Sequence, residues 1–221
     1  MTETQRTLAV LGGTGHEGSG IAYRAALAGW KVTIGSRDAA KAAAKAEELN
    51  ALAGSRNITG AGLLEAARAA GTVVLAVPYA AQVSTAEQVR PALEDKVLID
   101  VTVPLKPPKV SLVQLPPEGS CTKALQEKLG SAVRVVSAFQ NVSAHALMDR
   151  SKPVECDVLV CADDPEAKAT TIALVQQMGL IAIDAGPLAN SVVAEALTSV
   201  LIHLNKTYKV PASGIRITGL K

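Results

Sequence analysis

The sequence predicts an α/β fold with a doubly wound, mostly parallel sheet and a small C-terminal extension. Strand-like apolar runs alternate with helical patterns along the 221-residue chain, an order typical of parallel sheets covered by helices. Several runs, such as residues 72–77, are apolar almost throughout, as expected for strands covered on both faces. The first run breaks into a cluster of glycines before a helix begins, which favours a nucleotide-binding unit at the start of the sheet.

The glycine cluster carries the most specific of these signals. Gly13, Gly15 and Gly18 have the G-x-G-x-x-G spacing between a predicted strand and a predicted helix. In Rossmann-type domains the first glycine permits a tight turn, the second lets the backbone approach a pyrophosphate and the third lets the helix pack closely. The amides and the dipole at the helix N-terminus then favour phosphate groups. A plain structural turn is the alternative interpretation.

The remaining elements follow from hydrophobic periodicity and from turn residues. Strands are predicted at residues 7–11, 31–35, 57–60 (a short strand or a turn), 72–77, 96–101, 133–137, 157–161 and 180–183. Helices are predicted at residues 18–28, 38–52, 63–70, 81–93, 122–129, 165–178 and 190–208. Gly29 and Gly54 fall just past the first two helices, where glycine favours helix termination. Pro165 suits a first helical turn, with Asp163 or Asp164 as its cap.

Residues 103–120 differ from the rest of the chain because they contain five prolines and no convincing period. Long loops in compact domains are often functional lids. A crossover linker with no contact to a ligand is an equal alternative.

Composition excludes several classes of function. The formal net charge is +2 and aromatic residues make up 2% of the chain, which argues against nucleic-acid binding. The chain shows no signal peptide and no uninterrupted apolar run long enough to span a membrane. We therefore expect a cytoplasmic protein with no nucleic-acid or membrane partner.

A metal site is not expected, because neither the cysteines nor the histidines have the spacing of metal ligands. The cysteines fit buried free thiols in a reducing compartment. The residues concerned are Cys121, Cys156, Cys161, His16, His145 and His203.

The end of the second strand indicates which dinucleotide binds. An NAD site usually has an acidic residue at this position, whereas this chain has Ser36 and Arg37. Ser36 can donate a hydrogen bond, and Arg37 offers a charged, planar fork to a 2′-phosphate. Lys41 lies one helical turn further on. The pattern favours NADP(H), the alternative being a solvated basic helix start with Asp38 as its cap.

Two parts of the chain are distinguished. Residues 1–150 are predicted to form the NADP-binding Rossmann domain, and residues 151–221 a small α/β portion that completes the acceptor site. The last helix repeats apolar residues at helical spacing over a long stretch. Because such a face suits either a core or a subunit interface, we expect a homodimer.

Three stretches together resemble a known family, the NADPH-dependent reductases of the deazaflavin coenzyme F420. They are the turn V10-L-G-G-T-G15, the tip G35-S-R37 with Lys41, and the stretch D184-A-G-P-L-A-N-S191. The resemblance covers nearly the whole chain. It implies hydride transfer between NADP(H) and coenzyme F420, with both ring systems held face to face. Such a transfer depends on orientation rather than on a nucleophile or a metal, so no catalytic side chain is assigned.

The resemblance also implies a set of cofactor-binding residues. The phosphate turn would comprise Gly13, Thr14, Gly15, His16, Glu17 and Gly18. Ser36, Arg37 and Lys41 would hold the 2′-phosphate. The ribose and the nicotinamide would be flanked by Val77, Pro78, Tyr79, Ala81, Val103 and Ala144. Asn141, Pro187 and Ser213, followed by Gly214, would lie near the stacked rings.

The chain departs from the family near the acceptor. The family often carries a histidine and a proline where this chain has Gln140 and Ser143, and a tryptophan where it has Tyr79. Two alternatives therefore stay open. One is an NADPH-dependent reductase of another acceptor, such as flavin, ferric iron or an imine. The other is a non-enzymatic NADP-binding protein.

Overall fold

The fold is built on one eight-stranded sheet, described by a computed structural model for residues 6–220. Its strand order is β3-β2-β1-β4-β5-β6-β7-β8. The strands are β1 Thr7–Leu11, β2 Lys31–Ser36, β3 Ile58–Gly62, β4 Thr72–Leu75, β5 Val97–Asp100, β6 Arg134–Ser137, β7 Asp157–Ala162 and β8 Ile181–Asp184. Every neighbouring pair is parallel except β6 and β7. The predicted mostly parallel, doubly wound sheet is confirmed.

Helices cover both faces of this sheet. They are α1 His16–Leu27, α2 Ala39–Ala53, α3 Leu63–Arg68, α4 Tyr79–Val89, α5 Cys121–Leu129, α6 Ala144–Met148, α7 Pro165–Gln177 and α8 Ser191–Tyr208. Two apolar clusters lie on opposite faces of the sheet. Within β1, for example, Val10 belongs to one cluster and Leu11 to the other, because successive side chains in a strand point to opposite faces.

Several boundaries differ from the predicted ones for local reasons. Helix α1 begins at His16, two residues early, with Gly15 as its N-cap. Helix α4 begins at Tyr79, directly after Pro78. Strand β4 ends at Leu75, where its pairing with β1 and β5 ends. The predictions overlooked α6, a helix of only five residues.

The caps agree with the sequence signals. Gly29 and Gly54 have positive φ angles after α1 and α2, as helix-terminating glycines do. Asp164 caps α7 by accepting a hydrogen bond from the Ala167 amide at 2.7 Å. Asp163 instead accepts one from the Leu188 amide.

The part of the chain after residue 150 joins the same sheet. Strand β7 pairs antiparallel with β6, and β8 then adds to β7 in parallel. Residues 101–120, between β5 and α5, contain no helix or strand, in agreement with the predicted loop.

Helix α8 is the most apolar of the long helices. Within residues 6–220, Leu188–Tyr208 is the one helical segment long and apolar enough to cross a membrane by length and composition, and a third of its most apolar window is buried inside the fold. Glu195 in its middle is itself buried. The helix is therefore held to the domain along one side, while its opposite side is exposed.

Candidate functional site

The glycine turn that follows β1 is held in a tight, specific conformation. Gly12 has a φ of +80°, and a Cβ there would lie 2.2 Å from the Ala76 carbonyl oxygen. The left-handed position is thus Gly12, one residue before the predicted Gly13. Gly13 is required for a different reason, since a Cβ there would lie 2.7 Å from Ile34 Cγ2.

The third glycine packs the helix onto the turn. A Cβ on Gly18 would lie 2.7 Å from the Gly12 carbonyl oxygen and 2.8 Å from Gly13 Cα. Ser19 Oγ donates a hydrogen bond to the Gly13 carbonyl at 2.8 Å. The turn and the first turn of α1 are consequently one rigid unit.

The N-terminus of α1 opens toward the carboxyl edge of the sheet. Its N-cap, Gly15, brings no side chain to the end of the helix. The Ser19 amide makes the first intrahelical hydrogen bond, to the Gly15 carbonyl at 2.9 Å. The amides of residues 16–18 precede that bond, which is the arrangement that binds phosphate groups.

A cavity of about 280 Å³ extends from this turn along the sheet edge. It brings together seven of the predicted residues: Thr14, Gly15, Ser36, Arg37, Val77, Pro78 and Ala81. It also contains residues that the sequence did not indicate, namely Gly12, Leu63, Ala76, Ser84, Thr85 and Gln88. In a parallel sheet the carboxyl ends of neighbouring strands meet at one edge, so β1, β2 and β4 place these residues together.

Ser36 and Arg37 form the basic end of the cavity, and Asp38 contacts Ser36 and the nearby Lys41. Asp38 caps α2 by accepting a hydrogen bond from the Lys41 amide at 3.1 Å, and its carboxylate lies 3.7 Å from Lys41 Nζ. The Asp38 amide donates to Ser36 Oγ at 3.2 Å. Arg37 lines the cavity, whereas Lys41 is exposed beside it. Of these two cations, Arg37 is therefore the one that lines the cavity.

A second cavity, of about 470 Å³, lies on the other side of the turn. It brings His16 and Ala144 next to Thr14 and Gly15. Arg24 of α1 holds α6 in place there, because its guanidinium donates to the Leu147, Ala146 and Asp149 carbonyls.

The other predicted residues line neither of the two cavities. Tyr79 stands at the start of α4, and burial together with nearby Cys121, Glu118 and Glu195 raises its pKa. Pro187 is exposed before a short 3₁₀ turn, and Val103 is half-buried in the loop after β5. Gly13 and Gly18 are buried in the turn, and Glu17 lines neither cavity.

Four residues from distant parts of the chain form what we call the acceptor-side cluster: Asn141, Cys156, Ser213 and Gly214. Cys156 Sγ donates to the Asn141 carbonyl at 3.4 Å. A Cβ on Gly214 would lie 2.7 Å from Cys156 Cβ. Ser213 is fixed by its amide, which donates to Asn205 Oδ1 at 2.8 Å. Asn141 and Ser213, both predicted near the acceptor, are thus brought to the same region through Cys156.

Asp157 fastens the C-terminal segment to this cluster. Its amide donates to the Ile215 carbonyl at 2.8 Å, and its Oδ2 accepts from the Ile217 amide at 2.6 Å. The side chain is buried. Residues 215–217 therefore lie beside the start of β7.

Two buried carboxyl groups lie at the carboxyl end of β5, and sequence reasoning missed both. Burial raises the pKa of Asp100 to about 6 although Thr102, Gln82 and Thr122 donate hydrogen bonds to it. Glu195 of α8 accepts hydrogen bonds from the first amides of α5. The sequence did contain a signal for each carboxyl group, because Asp100 ends an otherwise apolar strand and Glu195 lies in an otherwise apolar stretch of α8.

Gln140 occupies the position where the family often has histidine. Its side-chain Nε2 donates to the backbone carbonyl of Asp100 at 2.8 Å, and its backbone carbonyl accepts a hydrogen bond from Thr198 Oγ1 at 2.7 Å. Its Oε1 is buried and has no partner among the described residues. Gln140 therefore links β5 to α8.

Within residues 6–220, no group of three or more His, Cys, Asp or Glu side chains is placed to hold a metal ion. The three cysteines are free and buried.

Known proteins with similar sequences also use NADP, in agreement with this geometry. Residues 7–104 match the family described as NADP oxidoreductase, coenzyme F420-dependent. The F420-dependent NADP reductase of Methanothermobacter thermautotrophicus is 41% identical over 220 residues, covering 96% of this chain and 95% of that protein. The enzyme of the same name from Methanocaldococcus jannaschii is 41% identical over 97% of this chain and 99% of its own length.

A solved structure shows the same fold over the same length. The crystal structure of a protein from Arthrobacter sp. FB24 superposes with a TM-score of 0.79 and 26% identity. The match covers 96% of this chain and 98% of the other.

Proposed function

This chain belongs to the family of F420-dependent NADP reductases, and from that premise we propose that it transfers a hydride between NADP(H) and the deazaflavin coenzyme F420. It is accordingly an NADP-dependent oxidoreductase. The observation that carries the NADP half is the cavity that joins the glycine turn to Ser36 and Arg37. The near-complete match to two reductases of that name supports the deazaflavin half.

NADP(H) would bind along the carboxyl edge of the sheet. The amides of His16, Glu17 and Gly18 suit the pyrophosphate, because they precede the first bond of α1. Arg37 suits the 2′-phosphate as a bidentate partner, with Ser36 beside it. Lys41 would contribute charge from the next helical turn if it exchanged Asp38 for the phosphate.

The nicotinamide would lie beyond β4 and β5. Val77, Pro78 and Ala81 line the cavity there. Tyr79, Val103 and Ala144 would complete the surroundings of the ring. Residues 1–150 would thus hold NADP(H), with Asn141 at their boundary.

The acceptor would be completed by residues 151–221. Ser213 belongs to the acceptor-side cluster, and Pro187 would bound the site from the turn before α8. Both ring systems must be held face to face for hydride transfer, and this positioning is the principal task of the chain.

We further propose that two chains associate through α8. Val193 and Val200 are 61% and 41% exposed, seven residues apart on its outer side, and Leu197 lies between them. An exposed apolar stripe of this kind marks an interaction surface. A second copy of α8 matches its length and its apolar character, so we assign it to a homodimer rather than to a membrane. Three buried free thiols favour a cytoplasmic, reducing compartment.

The proposed reaction is tested by mixing the purified protein with NADPH and oxidised F420. Catalytic loss of the visible absorption band of the deazaflavin is the expected result. Reduction of a flavin, a ferric chelate or an imine instead would assign another acceptor. NADPH binding without turnover on any of them would mean that the protein is not a reductase.

A further inference from the structure

Residues 101–120, between β5 and α5, leave the sheet and return to it at one place. Thr122 Oγ1 donates a hydrogen bond to the Asp100 carboxylate at 3.0 Å, and Cys121 Sγ donates to the Thr102 carbonyl at 3.6 Å. The two ends of the loop therefore meet at the carboxyl end of β5. A loop whose ends meet in this way is a projection from the surface, since it spans no distance between two elements.

The base of this loop is buried. Pro104 and Pro116, one on each arm, are both buried. Ser120, the last residue of the loop, donates a hydrogen bond from its Oγ to Glu195 Oε1 at 2.7 Å. Both arms are consequently fixed to the body of the protein.

The tip of the loop has a defined shape and an apolar outer surface. The side-chain amide of Gln114 donates a hydrogen bond to the backbone carbonyl of Lys109 at 3.1 Å, and the Leu112 amide donates to the same carbonyl at 3.0 Å. Three apolar side chains of the tip are nevertheless exposed, namely Leu112 by 57%, Val113 by 40% and Leu115 by 43%. Exposed apolar side chains that lie so close together in the chain indicate an interaction surface.

The order of the strands places this loop between the two parts of the proposed site. Strand β5 lies between β4 and β6, and all three are parallel, so their carboxyl ends share one edge. Val77 and Pro78, which follow β4, line the first cavity. Asn141, which follows β6, belongs to the acceptor-side cluster. The loop leaves the sheet from the strand between them, with Val103 at its base.

The acceptor needs a cover at this place. Hydride transfer requires one face of the deazaflavin ring to lie against the nicotinamide, and the opposite face of the flat ring would otherwise meet water. An apolar cover stabilises the bound ring by removing apolar area from water. It also keeps water away from the reacting pair, which is the usual task of a loop that closes over an active site.

We propose that residues 103–120 form a flap over the acceptor, in which Leu112, Val113 and Leu115 cover the ring face turned away from the nicotinamide. The inference rests on the proposed function. The buried arms hold the flap at the edge of the sheet, and the apolar tip makes the contact. Of the two interpretations of this loop, a lid and a crossover linker, the meeting of its ends and its exposed apolar tip favour the lid.

Limited proteolysis with trypsin tests the flap without turnover. Lys109 is exposed and is followed by Val110, whereas Lys106 precedes a proline and resists trypsin. NADP⁺ and the oxidised deazaflavin together form a complex that cannot react, because neither can give a hydride. This pair should slow cleavage after Lys109 by about tenfold or more, because cleavage requires the loop to open locally.

Two controls accompany the proteolysis. NADP⁺ alone should leave the cleavage rate after Lys109 within about twofold of the rate for the free protein, since the flap then has no ring to cover. Arg56 is exposed after α2, and cleavage after it should not respond to the pair of oxidised cofactors.

Leu112→Ser removes the most exposed apolar side chain of the tip. The KM for the deazaflavin should rise by about tenfold, the effect of losing one buried leucine contact. The kcat and the Kd for NADPH should stay within about twofold of the parent values. Leu52→Ser is the matched change at a leucine of α2 that is 52% exposed, and it should alter none of the three. Both leucines are exposed in the free protein, so neither change threatens the fold.

Four results would overturn the flap and leave the proposed function intact. One is deazaflavin reduction by the unmodified protein with no protection of Lys109 by the two oxidised cofactors. A second is equal protection of Lys109 and Arg56, which would mean general stabilisation. A third is a Leu112→Ser variant with the parent KM for the deazaflavin. The fourth is protection of Lys109 that rises with protein concentration without cofactors, which would assign the apolar tip to a contact between two copies.

Failure of the proposed function has a different signature. If the unmodified protein binds NADPH but does not reduce the deazaflavin, the proposed function fails and the flap fails with it.

Discussion

Gly12 shows how much one backbone position matters to this site. Its φ of +80° disfavours any residue with a Cβ, and the Ala76 carbonyl leaves no space for one. Gly12→Ala should lower the free energy of unfolding by about 2–5 kcal/mol, the sum of left-handed strain and overpacking. Denaturant unfolding measures the change.

Gly54 provides the matched control for that variant. It also has a positive φ, of +64°, but a Cβ there would meet nothing within 4 Å. Gly54→Ala should therefore cost only the strain, about 1–2 kcal/mol. Equal costs at the two positions would contradict the role given to the Ala76 contact.

Arg37 is the residue on which the choice of NADP over NAD depends. Arg37→Asp replaces the cation at the end of the cavity with an anion that would repel a 2′-phosphate. The Kd for NADPH should rise by about 100-fold, as expected for the loss of charged hydrogen bonds. The Kd for NADH should change by less than about threefold, and fluorescence titration of both cofactors measures the difference.

The control for Arg37 is another exposed arginine. Arg56 lies after α2, away from the cavity, and Arg56→Asp makes the same change of charge. It should leave both affinities unchanged. If Arg37→Asp weakens NADPH and NADH equally, the 2′-phosphate assignment is wrong.

For single residues, the sequence predicted which residues form the site better than it predicted what each of them does there. The glycine spacing identified the turn, but the left-handed residue is Gly12 because the Ala76 carbonyl closes over it. Ser36 and Arg37 could be predicted because they lie at the end of β2, where the strand meets the cavity. The burial of the Glu17 carboxyl oxygen Oε1 could not, because burial depends on how the parts of the chain pack together and not on the local pattern.

Among the elements, α5 depends on a helix that follows it by some sixty residues. Glu195 of α8 accepts hydrogen bonds from the amides of Cys121 and Thr122 at 2.8 and 3.1 Å, and from Ser120 Oγ at 2.7 Å. A carboxylate at a helix N-terminus also interacts favourably with the helix dipole. This contact fastens α8 to the N-terminus of α5.

Glu195→Ala should therefore destabilise the protein by about 2–4 kcal/mol, because it leaves buried donors without an acceptor. Thermal or denaturant unfolding measures the loss. Glu127→Ala on α5 is the control, since Glu127 is exposed and pairs weakly with Lys123; it should cost less than about 0.5 kcal/mol. A similar cost for both variants would refute the capping role.

Element boundaries show where local patterns stop being sufficient. The start of α1 at His16 and of α4 at Tyr79 follow from Gly15 and Pro78 acting as N-caps, and both signals were present in the sequence. Helix α6 was overlooked because a five-residue helix is too short to show a period. It exists because Arg24 binds the carbonyls at its end, a contact between residues more than a hundred positions apart.

For the whole molecule, the alternation of strands and helices was sufficient to predict a mostly parallel sheet, but it gave no strand order and did not indicate the antiparallel pairing of β7 with β6. Parallel pairing up to β6 follows from right-handed crossovers. The antiparallel entry of β7 depends on the path of residues 149–156 after α6, which contain no helix or strand. That path carries Cys156 and Asp157 to the chain end, and the acceptor-side cluster results from it.

The exposed stripe on α8 leads to a prediction about assembly. Burying Val193, Leu197 and Val200 against a second copy would remove apolar surface that a lone chain leaves in water. The unmodified protein should accordingly sediment with twice the mass of one chain. Val193→Lys, at the most exposed valine of α8, should shift it to the monomer, because a charge at the centre of an apolar interface loses its hydration.

Leu52→Lys makes the same kind of change at an exposed leucine of α2 and should leave the dimer intact. A monomeric unmodified protein, or a Val193→Lys variant that remains dimeric, would show that α8 is not the interface.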